Sequence, residues 1–191
     1  MILGIVGKAG SGKSYVSNIL KDNFKNSIVI DVDRVGHYVL TLFNVKKQLV
    51  QIFGEKILDE NEEINRKELG KIVFNDQEKM EKLNKIVHLE IYKEIEIKVK
   101  NYLKKYDIIA LDAAMLFKIG LDKLCHKVVF VDAPDNIRFE RLIQKRNIDE
   151  EKGKSMIEAQ KNLKIDYYDK KIIANDNPEI IKEELKKLIK K

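Results

Sequence analysis

A single cysteine, Cys125, stands in a chain of 191 residues. One thiol cannot close an internal disulfide, and secreted domains rarely leave one spare, so a disulfide-stapled secreted module is excluded. Cys125 reads as a small buried hydrophobe rather than a nucleophile. No apolar run reaches the roughly 18 residues of a membrane span. The N-terminus lacks the basic, apolar, small-residue order of a signal peptide. The expectation is a soluble cytoplasmic protein with no membrane contact. Neither an RNA-binding nor a helix-turn-helix signature occurs, and basic residues do not alternate with aromatics, so nucleic acid is not an expected partner. No internal repeat and no low-complexity linker interrupts the chain.

Hydrophobic residues make up 44% of the sequence, enough for a sizeable core in one domain or one domain with excursions. The net charge of +6 comes mainly from lysines. They are spread along helical stretches, which describes a solvated surface that also draws in a ligand carrying several phosphates.

Glycine is concentrated near the start, where Gly4 to Val16 read GIVGKAGSGKSYV. Gly7-Lys8-Ala9-Gly10-Ser11-Gly12-Lys13-Ser14 fits G-x-x-x-x-G-K-[ST], a loop whose successive main-chain N–H groups curl around a nucleotide phosphate. Met1 to Val6 is a short apolar run suited to a buried parallel strand. Val16, Ile19 and Leu20 then recur at helical spacing, so the loop has a strand before it and a helix after it. The helix N-terminus adds unpaired donors and partial positive charge facing an anion. Lys8 to Tyr15 are therefore candidate ATP contacts, with Lys13 on the β- and γ-phosphates and Ser14 on Mg²⁺.

Further along, Ser27 to Ile30 predicts a second strand running into Asp31-Val32-Asp33. From Asp33 to about Phe53 the pattern is helical, Gly54 ends it, and Asp59 to Ile64 read as a turn. Asn65 to Lys105 are helical throughout, with a break near Asn75-Asp76. Some forty residues are too many for one crossover and predict a helical excursion. Strands return at Asp107–Asp112 and Lys127–Val131. Pro134 to Lys164 read as helical, Lys171 to Ala174 as a last strand, and Asn177-Pro178 as the cap of an amphipathic C-terminal helix. This order describes a three-layer α/β domain with a parallel sheet.

A phosphate loop alone leaves small-molecule kinases, nucleotide switches and mechanical or nucleic-acid ATPases open. The guanine clamp N-K-x-D is missing, since Asn84-Lys85 is followed by Ile86-Val87. Motor and helicase ATPases are longer and keep further arginine and sensor motifs. A kinase for a small acceptor needs a group at the strand ends that takes the acceptor hydroxyl, and Asp31 and Asp33 lie where one is expected. Phosphoryl transfer has a loose transition state, so positioning outweighs base strength and an ordinary carboxylate serves. Asp33 is the candidate that orients and finally deprotonates the hydroxyl, and Asp31 assists it or holds water on Mg²⁺. The alternative for either is a helix cap. Asp112, ending an apolar strand, is a candidate metal support, or else a structural acid. Arg141 and Arg146, among the chain's few arginines, suit a lid that neutralises charge on the transferred phosphoryl; simple solvation is the alternative.

The succession GKAGSGKS, VIDVDR, INRKELGKIVF with IVH, LDAAMLFKIGL, RFERLIQKRN with EAQ, and IIANDN resembles the dephospho-CoA kinase family along nearly the whole chain. The run Asp112 to Leu121 matches that family's D-x-P-L-L-F-E-S-G-L, with Ala114 and Lys118 in place of its Pro and Glu. His88-Leu89 stand where His-Pro is usual, and no Gly-Gly-Gly stretch typical of shikimate kinases occurs. The resemblance implies a P-loop kinase fold of one domain, with a core at 1–60 and 106–191. A helical acceptor-binding insert at about 61–105 and a lid at about 138–168 complete it. It also implies ATP-dependent phosphorylation of the ribose 3′-hydroxyl of dephospho-CoA, the last step of coenzyme A synthesis, by a monomer or weak homo-oligomer. Asp33 is then the acceptor-side acid, Lys13 and Ser14 serve ATP and Mg²⁺, Arg141 lies in the lid and Asn175 lies near the adenine. Arg34, His37 and His88 are candidate acceptor contacts, although a histidine satisfied on its helix is an equal reading. The rivals are another small-molecule kinase, with a nucleoside monophosphate or shikimate-like acceptor, and a nucleotide-dependent switch.

Overall fold

The computed structural model describes residues 1–74, 76–146, 148–160, 165–174 and 177–190. Among them lie strands β1 (Ile2–Val6), β2 (Ser27–Asp31), β3 (Ile108–Asp112), β4 (Lys127–Asp132) and β5 (Lys170–Ile173). The helices are α1 (Lys13–Asn23), α2 (Val32–Val39), α3 (Phe43–Phe53), α4 (Arg66–Val73), α5 (Gln77–Tyr102), α6 (Leu116–Ile119), α7 (Asp135–Arg146), α8 (Glu150–Ala159) and α9 (Pro178–Ile189). Two compact units divide the chain, Met1–Asp31 with Val99–Lys191 and Val32–Lys98.

In the first unit all strands run parallel in the order β2-β3-β1-β4-β5. Strands buried on both faces need nearly continuous apolar sequence, which is why ILGIV and IIALD were legible as strands. Leu3, Ile5, Ala110, Val129, Val131 and Ile172 form a core with Val16, Ile19 and Leu20 of α1 and Ile181, Leu185 and Leu188 of α9. On β1 the neighbouring position, Gly4, points the other way: a Cβ there would lie 2.8 Å from Leu116 Cδ2 and 3.0 Å from Cys125 Sγ. Helices thus cover the sheet on both sides, the expected three layers.

Strand order reverses at β1, whose neighbours are β3 and β4. Ligands in open parallel sheets bind beyond the carboxyl end of such a switch point. The register aligns Asp31 with Asp112 and Asp132 with Ile173, so three strands end in aspartate at this rim.

The helical stretch from Pro134 differs from expectation. It is two helices, because the Asp149 carboxylate accepts from Lys152 N at 2.9 Å and starts α8 afresh. Gly153 lets α8 lie on α7, since a Cβ there would meet Ile143 Cδ1 at 2.9 Å. Asn177 caps α9 through Glu179 N at 2.9 Å, with Pro178 in the first turn, as the sequence predicts.

The second unit comprises α2, α3, α4 and most of α5. It therefore starts at Val32, whereas the sequence reading began the helical insert at about residue 61. Gly54, at φ 80°, ends α3. The expected turn is closed by an antiparallel bridge between Leu58 and Ile64, with Asp59 Oδ1 accepting from Asn61 N and Glu63 N. Asn65 Oδ1 accepts from Lys67 N and Glu68 N to start α4. Asn75 lies outside the described residues, but the neighbouring Asp76 Oδ1 accepts from Lys79 N at 3.0 Å at the head of α5.

Candidate active site

The phosphate loop joins β1 to α1. Gly12 caps α1 at φ 99°, a left-handed conformation, and its carbonyl accepts from Tyr15 N and Val16 N. A Cβ at Gly12 would also come within 2.6 Å of Ala174 Cβ, so this position requires glycine twice over. Lys13 and Ser14 open α1, where the first N–H groups have no carbonyl one turn back. Lys13 Nζ donates to Gly7 O at 3.2 Å, folding the lysine over its own loop. Ser14 and Tyr15 are exposed, while Lys8, Ala9 and Gly10 are half-buried.

A curled loop that turns its N–H groups inward turns its carbonyls outward, and those need donors of their own. Helix α7 supplies them. Arg138 is 1% exposed; its Nε donates to Ala9 O at 2.9 Å and its Nη1 to Asp135 Oδ1 at 2.7 Å. One turn on, Arg141 Nη1 donates to Ser11 O at 3.1 Å, with longer approaches to Gly10 O at 3.4 Å and, from Nη2, to Ala174 O at 3.5 Å. Arg141 therefore braces the loop through its carbonyls in this structure. Arg146 is the last residue of α7. Its side chain and Asn175 lie outside the described residues.

At the strand ends, Asp112 Oδ2 accepts from the buried Ser17 hydroxyl at 3.0 Å. Asp31 is exposed and aligned beside Asp112 across the β2–β3 pair. Asp132 pairs with Lys171 at 2.8 Å.

In the helical unit, Asp33 sits in the first turn of α2, where a carboxylate also complements the helix N-terminus. Asp33, Arg34 and His37 are all exposed. His37 joins Leu40, Thr41, Glu63, Ile64 and Arg66 around an open cavity of about 370 Å³. Lys46 anchors one Glu63 oxygen at 2.8 Å, and the other, Oε2, is buried with no hydrogen-bond partner among the described residues. His88 is half-buried on α5 and does not line that cavity.

The family model described as Dephospho-CoA kinase matches residues 1–180. The chain belongs to the dephospho-CoA kinase family. The dephospho-CoA kinase of Fusobacterium nucleatum is 36% identical over 163 residues, 84% of this chain and 81% of that protein. That of Dehalococcoides mccartyi is 34% identical over 179 residues, 92% and 88%. The crystal structure of TT1252 from Thermus thermophilus shares the fold, with a TM-score of 0.78 at 22% identity over 100% of this chain and 96% of that one. Membership in the dephospho-CoA kinase family makes the chain a kinase.

Sequence reasoning in the dephospho-CoA kinase frame missed two residues of this site, Arg138 and Gln160. Gln160 Oε1 accepts from Ala9 N at 2.7 Å and from Arg138 Nη2 at 3.2 Å. The one available signal was the spacing of Arg138 and Arg141, three residues apart on a helix and hence on one face.

Proposed function

We propose that this chain transfers the γ-phosphoryl of ATP to the ribose 3′-hydroxyl of dephospho-CoA, giving coenzyme A and ADP, in the cytoplasm. The observation that carries this reading is the family match along residues 1–180, which includes both the phosphate loop and the helical unit. Lys8 to Tyr15 form the seat of the phosphates, the Ala9 amide itself being held by Gln160. Lys13 leaves Gly7 O and moves to the β- and γ-oxygens, compensating charge that grows as the transferring group separates.

The donors present suit Mg²⁺. This ion keeps several waters and takes one or two protein oxygens besides substrate phosphates. The exposed Ser14 hydroxyl and the Asp112 carboxylate, already held by Ser17, are such oxygens. Held by these oxygens, the ion would supply positive charge against the phosphates.

Asp33 orients the acceptor hydroxyl and takes its proton once the bond to phosphorus has largely formed. Arg34, His37 and the cavity beside His37 receive other parts of the acceptor, with His88 as a further contact and Asp31 supporting Asp33 or metal-bound water. Arg146 and Asn175 complete the ATP side. The protein works on these two small molecules as a monomer or weak homo-oligomer, without nucleic acid. A coupled ADP-release assay against a panel of acceptors tests the reading. Dephospho-CoA is expected to give turnover far above water, a nucleoside monophosphate or shikimate; turnover with another acceptor in its place would overturn it.

A further inference from the structure

In the phosphate loop, the main-chain donor and acceptor of Ala9 are both held by side chains outside the loop. Its N–H donates to Gln160 Oε1 at 2.7 Å and its carbonyl accepts from Arg138 Nε at 2.9 Å. Gln160 and Arg138 are themselves joined, Nη2 to Oε1 at 3.2 Å. The four groups close a ring, fixed at its far side by Asp135 on Arg138 Nη1 at 2.7 Å. The next loop residue, Gly10, is pressed so near α7 that a Cβ would lie 2.4 Å from Arg138 O.

A ring of this kind fixes the orientation of the Ala9 peptide units on both sides. The curvature of the following residues, on which an inward-facing set of amides depends, starts from that orientation. We propose that Gln160 is a positioning residue for the nucleotide site: through its carboxamide oxygen it locks the Ala9 peptide to Arg138 and so holds the phosphate loop in its anion-binding curve before nucleotide arrives. Replacing that oxygen with an apolar group leaves a half-buried N–H unpaired and one edge of a buried guanidinium unanswered. The loop then has to be ordered by the nucleotide, which weakens binding. A carboxylate in the same place accepts the same two bonds and restores the lock.

The inference rests on reading Gly7 to Ser14 as the nucleotide site, and its test uses ADP with Mg²⁺ and no acceptor. Calorimetric titration of Gln160→Leu is expected to show ADP binding about tenfold weaker than wild type. Gln160→Glu should recover most of the loss. In ligand-free protein, hydrogen exchange at the Ala9 amide should speed up about tenfold or more in Gln160→Leu, while Leu3 and Ile5 of β1 keep their protection. Unchanged ADP affinity in Gln160→Leu would overturn the proposal, as would equal losses in the Leu and Glu variants. A matching acceleration at Leu3 and Ile5 would also overturn it, since the residue would then support the fold at large. Wild-type protein that fails to bind ADP would instead sink the nucleotide reading itself, and the exchange of Ala9 would still report on the ring.

Discussion

The Ser17 hydroxyl donates to Asp112 Oδ2 across 3.0 Å, tying the second turn of α1 to the end of β3. Ser17 is 3% exposed, so this bond is shielded from water and fixes the carboxylate plane. Groups that orient a metal-supporting carboxylate affect metal affinity more than stability. Ser17→Ala is therefore expected to raise the Mg²⁺ concentration for half-maximal activity about tenfold. Urea denaturation should show a loss of no more than about 1.5 kcal/mol. An unchanged magnesium requirement would remove Asp112 from the metal's surroundings.

Lys13→Ala tests the phosphate seat. In this structure the ammonium donates to a carbonyl of its own loop, Gly7 O. What is lost is charge compensation on the transferring phosphoryl. Steady-state kcat is expected to fall by about 100- to 1000-fold, with the thermal midpoint nearly unchanged. A drop of only a few-fold would count against the assigned role.

Why the loop was legible and its brace was not follows from how each is encoded. Gly10 and Gly12 serve a left-handed backbone within a few residues of one another, so the sequence shows the need locally. The strands are legible because burial on both faces demands unbroken apolar runs, and Asp112 and Asp31 because such runs end on them. Gln160 and Arg138 meet Ala9 across 151 and 129 residues, and nothing near any of the three announces the meeting. The division of the helical stretch after Pro134 shows in the Asp149 cap of α8 and the Ile148 N to Leu142 O bond that closes α7, and Asp149 is an acid among many acids and lysines. The extent of the helical unit was equally opaque: amphipathic helices at α2, α4 and α5 read alike, and periodicity does not say which compact unit each one joins.

Asp33→Asn separates positioning of the acceptor from support of the nucleotide. The amide keeps the shape and one acceptor oxygen but cannot take the hydroxyl's proton. The expected result is a kcat at least about 100-fold lower, in the usual range for a general base. ADP affinity should stay within about twofold, because an interaction made only on the way to the transition state leaves ground-state binding intact. Loss of ADP binding with little further effect on kcat would move Asp33 to the metal site.

Cys125 offers a prediction about pH. Burial pushes its thiol from an ordinary 9.0 up to about 12, with the nearby Asp122 carboxylate adding a smaller push in the same direction. Its Sγ approaches Leu121 O at 3.3 Å and fills the space that Gly4 leaves beside β1. Since the folded thiol holds its proton more tightly than the unfolded one, the contribution is intact below pH 9 and declines as pH rises from about 9 toward about 12. Urea midpoints of wild type and Cys125→Ala, compared at pH 7 and pH 10, should show wild type's advantage shrinking at pH 10 by on the order of 1 kcal/mol. An advantage that stays constant between the two would mean that the folded thiol ionises as readily as the unfolded one, and that the pocket beside Gly4 admits water.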